Sequence, residues 1–175
     1  MRSIYKLVVC SLLTLSITSC EKDLLEKEQY QKEIYLIGAY NRVWTTEVSY
    51  SNEEVKTYFT VSSSGTLALD RDVNVKMKIN EELVDIYNRK YWTVLNEDKY
   101  YKSLDTDLYS IPSLENTVIK HAEGISAEVP VLIKTASLKI DQSYVIPVEI
   151  ESTTGYPIST SGCKMLVLLK LKNDY

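Results

Sequence analysis

A chain of 175 residues with 45% hydrophobic side chains is long enough for one domain with a substantial core. Its 20 basic and 24 acidic residues give a formal charge of −4, a sign that argues against nucleic acid and against an anionic membrane face as electrostatic partners.

The chain opens with a basic segment, Arg2 and Lys6, then an apolar run over residues 7–17 that closes on Ile17-Thr18-Ser19-Cys20. A bilayer-spanning helix takes roughly 20 apolar residues, so this shorter run reads as a signal peptide. Small residues just before a cysteine resemble a bacterial lipobox, the shape a lipoprotein-specific peptidase has to fit. Residues 1–19 are therefore expected to be a leader, and Cys20 to become the first residue and carry acyl chains. Each buried CH₂ of such a chain is worth about 0.8 kcal/mol, which makes the membrane a partner through Cys20. The expected location is the outer membrane, lipid-anchored, on the cell surface. Loss of Arg2 and Lys6 leaves 18 basic against 24 acidic residues, a formal charge of −6. Cys10 leaves with the leader and Cys20 is used for lipid. Cys163 is then left without a partner for an intramolecular disulfide and reads as a small hydrophobe on a strand.

Residues 20–31, the lipidated cysteine and the polar segment behind it, read as a tether. Glu21-Lys22-Asp23 loosely resembles the export signal of surface lipoproteins in Bacteroidetes. Strands are predicted over residues 33–37 and 43–50, and again over 55–61, where Val55, Thr57, Phe59 and Val61 alternate with Lys56, Tyr58 and Thr60. Ser62-Ser63-Ser64-Gly65 is turn chemistry, and residues 66–69 read as a short extended piece. Val73, Val75, Met77 and Ile79 alternate with Asn74, Lys76 and Lys78, a strand with one apolar face. At Asn80 the pattern changes to an N-cap followed by Glu81 and Glu82, and a short helix is expected to pack Leu83, Ile86 and Tyr87 back onto the sheet.

Residues 89–112 are irregular. Two strands, 117–120 and 125–134, flank a turn, with Ala127, Val129, Val131 and Ile133 on the apolar face. Residues 144–150 and 163–172 alternate in the same way, and Leu166 and Leu168 on the second face of the last strand predict cover on both sides. Pro130 and Pro147 lack an N–H, which points each to a sheet edge or an irregularity. Short strands without interleaved long helices predict an all-β fold, an Ig-like antiparallel β-sandwich of about eight strands with one short helix, as a single domain over residues 32–175.

The series Phe59-Thr-Val-Ser-Ser-Ser-Gly65, Asp72-Val-Asn-Val, Asn80-Glu-Glu-Leu-Val-Asp-Ile-Tyr-Asn88, Gly124-Ile-Ser and Tyr144-Val-Ile-Pro-Val-Glu-Ile150, with Ile158-Ser159, resembles a domain of unknown function in Bacteroidetes surface lipoproteins. The likeness covers roughly residues 32–172. In that family the domain lies N-terminal to carbohydrate-binding or glycosidase modules of glycan-utilisation systems. The resemblance implies an Ig-like domain in such a lipoprotein, and Tyr109-Ser-Ile-Pro112 is the nearest equivalent of the family's Leu-Pro and tyrosine after the helix.

Chemistry is sparse. The single histidine, His121, sits in a predicted turn and reads as a solvated residue; nucleophile-elbow and zinc-helix motifs are absent. Asp70, Asp72, Asn74 and Glu81 fall at calcium-loop offsets, but the sixth position, which demands glycine, is Val75 within a strand. No catalytic residue, metal or cofactor is expected. The aromatic content is unusual: 14 of the 17 aromatic residues are tyrosine, and the irregular stretch carries Tyr91, Trp92, Tyr100, Tyr101 and Tyr109. Pyranose C–H faces lie well on such rings, whose polar tips meet hydroxyls. Core and sheet packing uses the same residues. Two functions follow as expectations: a glycan-binding or accessory module without chemistry of its own, or a structural or adhesive protein that binds an outer-membrane partner through a sheet edge near Pro130 or Pro147.

Overall fold

The computed structural model describes residue 28 and residues 30–172; the leader, Cys20 and most of the expected tether lie outside the described residues. Ten strands follow in order: β1 (Ile34–Leu36), β2 (Val43–Ser49), β3 (Glu54–Ser63), β4 (Val73–Ile79), β5 (Lys102–Ser103), β6 (Tyr109–Ser110), β7 (Thr117–Ile119), β8 (Ser126–Lys134), β9 (Tyr144–Thr153) and β10 (Lys164–Lys172). One helix, α1 (Glu82–Tyr91), sits between β4 and β5, and 3₁₀ turns span Ala39–Asn41 and Val94–Lys99. The strands form two sheets, ordered β1-β3-β8-β6 and β2-β10-β9-β4-β7, with β5 added beside β9. The all-β sandwich read from alternation is the fold.

Period-2 patterning explains the core. Phe59 and Val61 of β3, Val73, Val75 and Met77 of β4, Val129, Val131 and Ile133 of β8, Ile146 and Val148 of β9, and Met165 and Val167 of β10 are all buried between the sheets. Each such side chain contributes about 1.5–3 kcal/mol on leaving water. The outer face of β9 and β10 is covered as well: Val145 and Leu166 pack with Val84 of α1 in a second, smaller cluster. Both faces of β10 are therefore apolar, as Leu166 and Leu168 predict.

Several details depart from expectation. Two pairings are parallel, β2 with β10 and β5 with β9, because β2 and β5 reach their neighbours by connections that do not reverse the chain beside them. Residues 66–69 form no strand; Leu69 is buried from a loop. Pro147 lies inside the sheet rather than on its edge. Its carbonyl accepts the Asn80 N–H at 3.0 Å, and the return bond that proline cannot make is not called for, because the Asn80 carbonyl accepts from Leu83 N–H at 3.1 Å in the first turn of α1. Pro130 faces Tyr58 on β3, and β6 pairs with β8 only at Ile133 and Leu132, so on that side Pro130 pairs with no strand among the described residues. Cys163 is half-buried against the main core, ahead of β10. At the end of the expected tether, the Glu28 carboxylate accepts the Thr66 N–H at 3.1 Å and the Leu67 N–H at 3.3 Å.

Candidate functional site

Asn80 starts α1 and fixes its position. Its Oδ1 accepts the Glu82 N–H at 3.2 Å and its Nδ2 donates to Glu149 of β9. Burial disfavours the charge on Glu149, but the bonds from Asn80 and Lys164 outweigh it and hold the carboxyl below its ordinary value. The helix then turns Val84 and Asn88, four residues apart, toward the sheet, and both are buried. Of the three residues expected to face inward, Leu83 and Tyr87 are half-buried, while Ile86 is 51% exposed. The 83/86/87 stripe is displaced by about one position, because α1 lies over the start of β10 on its Val84 side.

Asn88 is 4% exposed, and its side chain acts as a strand segment for the returning chain. Its Nδ2 donates to the Tyr101 carbonyl and its Oδ1 accepts the Tyr101 N–H, both at 2.9 Å. That pair aligns Tyr101 with the helix. The Tyr101 ring stacks on Tyr87 with centroids 5.2 Å apart and an interplanar angle of 11°, and Tyr87 meets Tyr91 at 4.5 Å and 35°. The result is a ledge of three tyrosines along the C-terminal half of α1. Tyr91 forms its outer end and is 49% exposed, with Lys90 Nζ 5.3 Å from its ring centroid. Burial pushes the Tyr87 phenol up to about 12, with Tyr101 and Tyr91 adding to the effect.

The candidate aromatic residues thus divide. Tyr91 and Tyr101 come together, and the ring that joins them, Tyr87, was assigned from its spacing to packing alone. Trp92 ends the helix half-buried, with Lys99 Nζ 5.7 Å above its ring and its indole N–H buried without a partner among the described residues. Tyr100, next to Tyr101 in sequence, is half-buried. Tyr109 belongs to the other sheet, on β6 opposite Ile133, and packs against the main core. Burial pushes its phenol up to about 12. Beside Tyr87, a cleft of about 140 Å³ is lined by Arg42, Leu83, Ile86, Tyr87, Thr160 and Lys164 over Met165 and Leu166.

Six carboxylates are held in their charged form by their neighbours. Glu28, Glu47, Asp70, Asp72, Glu149 and Glu151 all shift downward, each held by a hydrogen-bonding or cationic neighbour. A glycoside-cleaving general acid needs the opposite shift. Asp70 is held by Arg71 and by the Tyr156 hydroxyl, and Asp72 accepts both the backbone N–H and the ring nitrogen of His121, at 3.0 and 2.6 Å. His121 is an exposed turn residue with that one side-chain partner. Among the described residues no group of three or more His, Cys, Asp or Glu side chains is placed to hold a metal. No helix among them is long and apolar enough to cross a membrane.

A family model described as an N-terminal domain matches residues 30–157. No curated protein matches the sequence significantly. Among solved structures, a multidomain protein including DUF1735 from Bacteroides ovatus superposes with a TM-score of 0.62 at 19% identity, covering 77% of this chain and 42% of that one. An auxiliary nutrient binding protein from Bacteroides thetaiotaomicron gives 0.61 at 15% identity, covering 79% and 46%. EndoBT-3987 from the same organism, solved with Man5GlcNAc product, gives 0.56 at 18% identity, covering 79% and 30%. The chain spans less than half the length of each of these structures. These likenesses carry the fold. With the family model matching most of its length, the chain belongs to this family of N-terminal domains, the Bacteroidetes domain that its own motifs resemble.

Proposed function

We propose that this protein is a lipid-anchored accessory module of a glycan-utilisation system, held at the outer-membrane surface through Cys20 and binding glycan without cleaving it. The observation that carries the reading is the Tyr87–Tyr91–Tyr101 ledge. Two rings of the helix meet a third, Tyr101, whose backbone is held by a buried amide, and one ring is half exposed at the end of the helix. Flat aromatic faces beside exposed Asp, Glu and Lys side chains suit the C–H faces and hydroxyls of pyranose rings. The names of two structural neighbours, a nutrient binding protein and an enzyme solved with a glycan product, support the same direction.

The test has two arms. Native affinity gels cast with plant and host polysaccharides should retard the domain on at least one of them, and uniform mobility across the panel counts against glycan binding. Labelled palmitate fed to cells should appear on the protein and vanish in Cys20→Ala, and an unlabelled product removes the anchor. A second reading rests on the side of β8 away from β3, where residues 126–131 pair with no strand among the described residues. Sheet extension by a partner would use that edge. Cross-linked pull-down of a partner that is lost when β8 is altered there, with no effect of sugar, favours it.

A further inference from the structure

The cleft beside Tyr87 has a chemistry that the ledge does not. Its floor is β10 at Met165 and Leu166, where Leu166 faces the helix and the Met165 side chain turns into the core; its wall is Leu83, Ile86 and Tyr87 of α1, and its polar rim is Arg42, Lys164 and Thr160. Both cations are placed there by backbone geometry. Lys164 shares a face of β10 with Leu166, two residues on, so the side chain stands beside the helix. Arg42 follows the 3₁₀ turn Ala39–Asn41 with φ of 63°, a left-handed conformation that residues with a Cβ rarely adopt. Its N–H donates to Ala39 at 2.8 Å and its carbonyl accepts the Leu166 N–H at 2.8 Å, so the turn is locked to β10.

In a chain with an acidic excess, Arg42 forms no ion pair among the described residues. Lys164 is paired with Glu149 Oε1 at 3.3 Å, while the other oxygen of that mostly covered carboxylate accepts from Asn80, so the ammonium keeps its remaining donors for the cleft. The cleft therefore presents a guanidinium and an ammonium above an apolar floor, with an aromatic edge leading to the ledge.

Building on the glycan-binding reading, we propose that this cleft is an anion subsite. It receives the carboxylate or sulfate of an acidic sugar, while the neighbouring ring of the same chain lies toward Tyr87 and Tyr91. Arg42 supplies a planar donor fork for a two-oxygen anion and Lys164 a point charge. The apolar floor takes the C–H face of the ring. The domain's preferred ligands are then uronate-bearing or sulfated glycans rather than neutral ones.

Calorimetry on the protein, with matched oligosaccharides that are neutral, uronate-bearing or sulfated on one backbone type, tests this. The acidic ligands should bind at least tenfold more tightly than the neutral one, and the uronate and sulfate arms decide which anion is preferred. The preference should shrink as salt is raised, because screening weakens the ion contacts. Arg42→Asn, which tolerates the left-handed backbone, and Lys164→Gln should each lower the acidic-to-neutral ratio several-fold with the melting temperature retained. Equal affinity for acidic and neutral ligands, or variants that keep the preference, overturns the subsite and leaves the ledge reading standing. Absence of binding to all three ligands overturns both.

Discussion

Asn88 shows how one polar side chain can set a surface. Buried amides are costly when unpaired, and here both polar atoms are satisfied by the backbone of a single residue, Tyr101. Replacing Asn88 with Leu removes both bonds and strands a buried N–H and carbonyl. A loss of about 1–3 kcal/mol is expected by denaturant melting, together with weaker near-UV tyrosine ellipticity as the stack loosens. Retained stability would show that the amide is incidental. Tyr87 and Tyr109 provide a pH test. Their phenols are raised to about 12, above the value of about 10 in an unfolded chain. The stability they contribute is present below pH ~10 and is lost as pH rises toward 12. Absorbance titration should show two tyrosines ionising late, together with alkaline unfolding, and Tyr109→Phe should remove one of them at little cost, since its hydroxyl is buried without a partner. Ionisation of all tyrosines near pH 10 in the folded state contradicts this. None of these roles was legible from the residues alone. Tyr87 has ordinary helix spacing, and the partner of Asn88 is 13 residues away.

Strand identity was legible because burial imposes a period of two, which β4 and β8 follow along their length, while β9 and β10 are buried on both faces at their centres. Pairing was not. Nothing local in β2 distinguishes a parallel neighbour from an antiparallel one, and its place beside β10 is fixed by a partner more than 120 residues along the chain. Tyr101 and Tyr109 are eight residues apart, yet the chain crosses from one sheet to the other between β5 and β6, so a sequence cluster of aromatics becomes two sites. The helix was foreseen with its cap at Asn80, but its inward face was read one step off because Asn88 breaks the apolar stripe that Val84 begins. This gives a direct contrast. Val84→Ala should cost about 1.6 kcal/mol, at about 0.8 per buried methylene, whereas Ile86→Ser should change stability by less than about 0.5 kcal/mol. The reverse order in chemical denaturation would mean that α1 packs by the other stripe.

At the scale of the molecule, the two ends of the described chain lie at different ends of the sandwich. Glu28 bonds the loop that leads into β4, whereas the Lys172 carbonyl accepts the Tyr50 N–H where β2 ends. The ledge and cleft lie on the outer face of β9 and β10, clear of the core between the sheets. A rigid sandwich whose helix and following loop display aromatic rings fits a family of domains attached to glycan machinery, and fold alone would not have chosen a ligand. The proposed function requires the tyrosine ledge to meet sugar. Calorimetric titration of the wild-type domain and of Tyr91→Ala, with a polysaccharide that retards the wild type in affinity gels, tests it most directly. The expected result is an affinity about tenfold weaker for the variant, roughly 1.4 kcal/mol, with an unchanged melting temperature. Equal affinity in the two proteins, or no heat of binding in either, would contradict it.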